Sequence, residues 1–83
     1  MAAPNFTAKI IGDRLHLVLS GEWTLASSAQ LEKISQNLMA SAHRALKVTI
    51  DLDHVERIDT AGAWLVDRVR ADLIAHGIDA DYG

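Results

Sequence analysis

The hydrophobic period of this chain switches between two and 3.6 residues and back, and that alternation constrains its fold more than any other feature. Phe6, Ala8 and Ile10 alternate with Thr7 and Lys9. A period of two predicts a strand with one face buried. Gly12-Asp13 supplies a turn. Beyond it Leu15, Leu17 and Leu19 alternate with Arg14, His16 and Ser20, with Val18 as an apolar residue on the polar side. Two such runs around a short glycine turn predict an antiparallel hairpin. After Gly21 the spacing becomes helical. Leu31, Ile34, Leu38 and Ala42 share one side, while Glu32, Lys33, Gln36, Asn37 and Arg44 form a solvated face. Ser27 followed by Gln30 fits a capping box and places the helix start near Ser27. Leu46, Val48, Ile50 and Leu52 then alternate with Lys47, Thr49 and Asp51, which predicts a third strand. "DHVERI" reads as a loop. From Ala61 a second helical stripe runs through Leu65, Val69 and Leu73, widened by Gly62, Val66 and Ile74. Gly77 stands where a helix C-terminus favours positive φ, and "IDADY" opens a further strand.

The order β-β-α-β-α-(β) predicts an α/β (α+β-like) fold: a mixed sheet with helices mainly on one face. A strand-helix-strand crossover implies parallel pairing, right-handed by default. Residues 1–83 read as a single domain. The last strand looks cut short, which leaves a sheet edge uncovered. The expectation is an N-terminal fragment of a longer protein, or a homodimer formed through that edge.

Several function classes fall away. The net charge is −3, and the eight Lys and Arg residues are scattered, with only Arg68 and Arg70 close together. Nucleic-acid binding needs clustered cations. There is no cysteine, so thiol chemistry and cysteine-ligated zinc are excluded. The start, "MAAPNFTAKI", lacks the basic and apolar regions of a signal peptide. "AGAWLV" is far short of the roughly 20 apolar residues that span a bilayer, so this segment does not insert directly. His16, His43, His54 and His76 show no ligand spacing, and no metal site is expected. No glycine-rich phosphate loop occurs, and no cofactor is expected.

The stretch "VERIDTAGAW", Val55 to Trp64, carries the candidate site. Asp51, Asp53, Glu56 and Asp59 lie in it or just ahead of it with His54 nearby, but without a nucleophile and base poised for catalysis. Thr60 stands at or next to the start of the second helix. Its hydroxyl has two readings: a cap accepting a first-turn N–H, or a phosphorylation switch held beside free N–H donors and opposed by Glu56 and Asp59. Ala61 and Gly62 allow a second surface to come close. Trp64, one residue off the buried stripe, is either a core rim residue or an interface anchor. Trp23 is expected to cover an end of the core.

"KVTIDLDHVERIDTAGAWLV" resembles the central motif of STAS domains, the sulphate-transporter and anti-sigma-factor-antagonist family. There a hydrophobic strand ends in Asp, and Asp-Ser/Thr-x-Gly opens a helix. "GEWTLASSAQL" resembles the upstream strand-to-helix segment, and the likeness runs from about Phe6 to Gly83. "DTAGAW" is similar to the STAS domains of Mla-type lipid ABC transporters, which are separate small subunits or are fused ahead of a permease. The resemblance implies the STAS fold and a non-enzymatic, cytoplasmic module at the inner face of the inner membrane. It implies docking on an ABC ATPase subunit through Asp59, Thr60, Ala61, Gly62, Trp64 and Arg68. In the alternative it implies an anti-sigma-factor antagonist whose Thr60 is phosphorylated by a partner kinase.

Overall fold

The alternating runs form strands and the 3.6-residue stripes form helices. The computed structural model describes residues 2–83: β1 (Asn5–Ile11), β2 (Arg14–Trp23), α1 (Ser28–Ala42), β3 (Lys47–Ile58), α2 (Thr60–Ala75) and β4 (Asp79–Tyr82). A single 3-10 turn, Leu25–Ser27, leads into α1. The sheet order is β1-β2-β3-β4. β1 and β2 are an antiparallel hairpin, whereas β2–β3 and β3–β4 are parallel. The predicted mixed sheet and element order hold.

The core lies between one sheet face and the two helices. Leu17, Leu19 and Trp23 from β2 and Val48 and Ile50 from β3 meet Leu31, Leu38 and Ala42 from α1 and Leu65, Val66, Val69 and Leu73 from α2. Fully burying side chains of this size contributes roughly 1.5–3 kcal/mol each. Trp23 closes the end of β2, as expected, with no exposed surface. Its indole Nε1–H donates to the Ser20 carbonyl at 2.8 Å, so the buried ring leaves no orphan donor. At the far end of α2, Gly77 takes φ 80°. The chain then reverses, and Ile78 N–H donates back to the Leu73 carbonyl at 3.0 Å. Arg70 Nε–H to the Ala80 carbonyl, 3.0 Å, and Tyr82 O–H to Asp67, 3.1 Å, tie β4 to α2.

Several expectations need correction. "DHVERI" is strand, not loop: β3 runs to Ile58 because β2 is long enough to pair with it throughout, Val55 opposite Gly21 and Ile58 opposite Trp23. Backbone pairing there overrides a polar composition. Two register shifts, between Val18 and Ser20 and between Gly21 and Glu22, absorb the extra residues. Ser27 precedes α1 as predicted, but its side chain makes no capping hydrogen bond. β1 is not buried on one face. Phe6 is half-buried, but Ala8 and Ile10 are exposed, since the core-forming residues of both helices pack over the other strands. Leu46 lies outside β3 and is exposed. Ile74 points to solvent and does not widen the α2 stripe. The strand that "IDADY" opens is β4, which pairs with residues 47–50 and leaves residues 51–58 of β3 with a strand neighbour on one side only among the described residues.

Leu73 is buried against both the sheet and α1. We expect Leu73→Ala to cost about 2–5 kcal/mol in urea unfolding, through lost transfer energy and an unfilled cavity.

Candidate functional site

The end of β3 delivers Asp59 to a position where its carboxylate serves two helices. Asp59 is the N-cap of α2, in extended conformation, and its Oδ1 accepts the Gly62 N–H at 3.0 Å. Its Oδ2 accepts the Leu25 N–H at 2.9 Å, across 34 residues of sequence. Its own N–H donates to the Trp23 carbonyl at 3.3 Å. One side chain therefore fixes the start of α2 and the turn that precedes α1. Both donors hold the Asp59 carboxyl below its ordinary value of 3.8, the Leu25 N–H foremost and the Gly62 N–H next.

Gly62 makes the second connection. It is buried, and a Cβ at this position would overlap the Trp23 carbonyl. The close approach that Gly62 allows is to this chain's own β2, so its first role is internal.

With the two helix starts held together, an apolar groove opens between them, with a volume of about 700 Å³. Leu25, Leu31, Ala61, Trp64 and Leu65 supply its apolar lining, and Ser28, Glu32, Asp59 and Thr60 its polar edge. Leu25 is 67% exposed and Trp64 62%. Trp64 is therefore not a core rim residue. Its ring carries the Arg68 guanidinium, 5.5 Å from the centroid, a contact worth about 0.5–1 kcal/mol at an exposed site.

Thr60 is the first residue of α2 and is exposed. The predicted hydroxyl cap is not formed. Asp59 performs it instead, because a carboxylate one residue earlier has the reach and the extended backbone that capping requires. No hydrogen bond engages the Thr60 hydroxyl among the described residues, and it stands free at the groove's edge. Ala61 lines the groove, and Arg68 lies one turn beyond it.

The other sequence candidates do not converge. Asp51, Asp53, His54 and Glu56 are strung along β3, with Asp53 N–H donating to Asp51 Oδ1 at 2.8 Å in the bulged stretch. His16 and His54 share the open sheet face, and His43 and His76 line a small groove between the helix ends. Among the described residues no group of three or more His, Cys, Asp or Glu comes together. No helix of the described residues is long and apolar enough to cross a membrane. Leu25 escaped sequence reading. Its signal is an apolar residue standing just ahead of a helical stripe without belonging to it.

Comparisons with known proteins bear on the family and the fold. A family model described as "Mlab, STAS domain" matches residues 6–77. No curated protein sequence matches. Among solved structures, one of Mglu is 26% identical with a TM-score of 0.67, covering 92% of this chain and 18% of that one. The anti-sigma factor antagonist SpoIIAA in its unphosphorylated form is 19% identical with a TM-score of 0.59, covering 94% and 71%. The STAS domain of an antisigma-factor antagonist from Rhodobacter sphaeroides is 16% identical with a TM-score of 0.72, covering 98% and 86%. The chain spans about a fifth of the length of the Mglu chains it matches. At these identities the two antagonist structures show the shared fold.

Two outcomes test the architecture. Gly62→Ala forces a methyl into the Trp23 carbonyl and should cost about 1–3 kcal/mol, read by chemical denaturation. For Asp59, the folded carboxyl titrates below the unfolded one. Its contribution is complete above the ordinary 3.8 and is lost as pH falls through the lower folded value. Asp59→Asn, which sets an NH2 against one of the two donors, should lower the melting temperature at neutral pH. It should also flatten the loss of stability on acidification below about pH 4.

Proposed function

The chain belongs to the STAS domain family, and from that premise we propose that it is a non-enzymatic docking module of a lipid-transport (Mla-type) ABC system. Its partner is the ATPase subunit, met through the groove between the starts of α1 and α2. The observation that carries this reading is the exposed Trp64, ordered by Arg68 and set over an apolar lining with Thr60 at its edge. Exposed aromatics ringed by small and polar residues are typical anchors of protein contacts. The Mlab description of the matching family model supports the transport setting. The parent then places the domain in the cytoplasm at the inner face of the inner membrane, as a separate subunit or as the N-terminal part of a permease.

In this arrangement Trp64 and Leu25 supply buried area, and Ala61 keeps the floor of the groove low. Thr60 and Arg68 give polar specificity at the rim. Asp59 and Gly62 act from behind, by holding the two helix starts in place.

A second reading follows from the free hydroxyl of Thr60. A phosphate there would bring about −1.5 to −2 charges to the rim of the groove. It would lie beside the helix N-terminus, which favours it, and beside Asp59, which opposes it. The fold has no need of that hydroxyl, so the surface would change and the core would not. This is the behaviour of an anti-sigma-factor antagonist controlled by a kinase. Incubation with a serine kinase of the anti-sigma type followed by mass spectrometry decides it: stoichiometric modification at Thr60 favours the switch, and none removes it.

For the docking reading, the measurement is calorimetric titration with an Mla-type ABC ATPase subunit from the same organism. Trp64→Ala should weaken binding by about tenfold or more, an anchor-sized loss. Thr60→Glu should weaken it too, with both variants keeping the wild-type circular dichroism. Unchanged affinity in both would overturn the proposal.

A further inference from the structure

β1 is an edge strand with an unusual surface. It lies outermost in the sheet, and only Phe6 is half-buried, while Ala8, Ile10 and Ile11 are exposed. Ile10 is 80% exposed. Natural edge strands are commonly blunted by charge, proline or a bulge. β1 carries Lys9 as its one charge, has no proline, and pairs with β2 in unbroken register.

The direction of its backbone groups follows from the hairpin. Ile11 and Arg14 close the two-residue turn, and such a closing pair exchanges hydrogen bonds. The same holds at alternate positions, Lys9, Thr7 and Asn5, whose N–H and C=O groups therefore face β2. Those of Phe6, Ala8 and Ile10 face outward. Consistently, the Phe6 N–H is not engaged by β2 but by the adjacent Asn5 Oδ1 at 2.9 Å.

We propose that β1 pairs antiparallel with β1 of a second copy of this chain, about a two-fold axis at Ala8, joining two sheets into one. In that register Phe6 faces the partner's Ile10 and Ala8 faces the partner's Ala8, so each outward N–H and C=O finds a partner. Ile10 packs on a half-buried aromatic instead of water. Lys9 falls opposite Thr7, and no like charges stand directly across. The opposite edge lacks this self-complementarity. Pairing β4 with itself about Ala80 would set Asp79 against Asp81, a destabilising pair. The area gained is on the order of several hundred Å², below the roughly 1,200 Å² of stable interfaces. The dimer is accordingly weak. It also leaves the Thr60 groove free, and so does not depend on what docks there.

Sedimentation up to about 1 mM protein tests this, at concentrations suited to a weak pair. The wild type should shift towards twice the chain mass. Ile10→Lys and Ala8→Pro should each weaken association by about tenfold or more. Ala8→Pro removes an N–H that bonds nothing within the chain. Should it disturb the hairpin, Ile10→Lys, which alters only an exposed side chain, decides alone. Because the chain has no cysteine, Ala8→Cys provides a unique thiol at the axis. A short bis-maleimide should link it to its copy far more readily than it links Asp81→Cys. A wild type that stays monomeric, dimers unaffected by Ile10→Lys, or equal cross-linking at both edges would overturn the proposal.

Discussion

The Asp59 carboxylate is the constraint on which the site depends. One oxygen accepts the Gly62 N–H and the other the Leu25 N–H. A capping residue ordinarily serves one helix. Here the same side chain also fixes the turn before α1, because β2 and β3 run parallel and end together, Trp23 opposite Ile58. Parallel strands bring both strand-to-helix junctions to the same end of the sheet, and one carboxylate with two acceptor oxygens can then reach both. The groove between α1 and α2 is a consequence of that topology.

Gly62 completes the arrangement from the other side. Because it has no side chain, the first turn of α2 can lie against the carbonyl of Trp23, whose indole seals the core beneath. The site thus has a hydrogen-bonded base, Asp59 with the buried Gly62, and an exposed surface. Thr60, Trp64 and Arg68 can change without touching the core, whereas Asp59 and Gly62 cannot. The capping task belongs to Asp59, so the exposed Thr60 hydroxyl has no part in holding the helix start.

Much of this was legible in the sequence. The periods of two and 3.6 gave the right elements in the right order, and the Asp-Thr-x-Gly motif located the start of α2. What failed did so where a distant partner decides. Polar "DHVERI" becomes strand because β2 extends to pair with it. Ala8 and Ile10 alternate like a buried face but stand at a sheet edge that the helices do not cover. Thr60 and Asp59 are both competent caps in isolation, and the extended backbone at Asp59, with Thr60 already helical, gives the task to the carboxylate. Leu25 itself carries no periodic signal, so its place in the groove follows from tertiary structure alone. The close approach of Gly62 to the Trp23 carbonyl was hidden for the same reason: a glycine in the motif announces a close approach but not to what.

The proposed docking surface can be tested directly by nuclear magnetic resonance. Titrating the isotope-labelled domain with the ABC ATPase subunit should perturb the backbone amides of Leu25, Ser28 and Thr60 to Leu65, together with the Trp64 indole. The open sheet face around His16, Val18 and His54 should stay unmoved. Perturbations centred on that sheet face, with the Trp64 indole unchanged at saturation, would contradict the assignment of the groove as the contact surface.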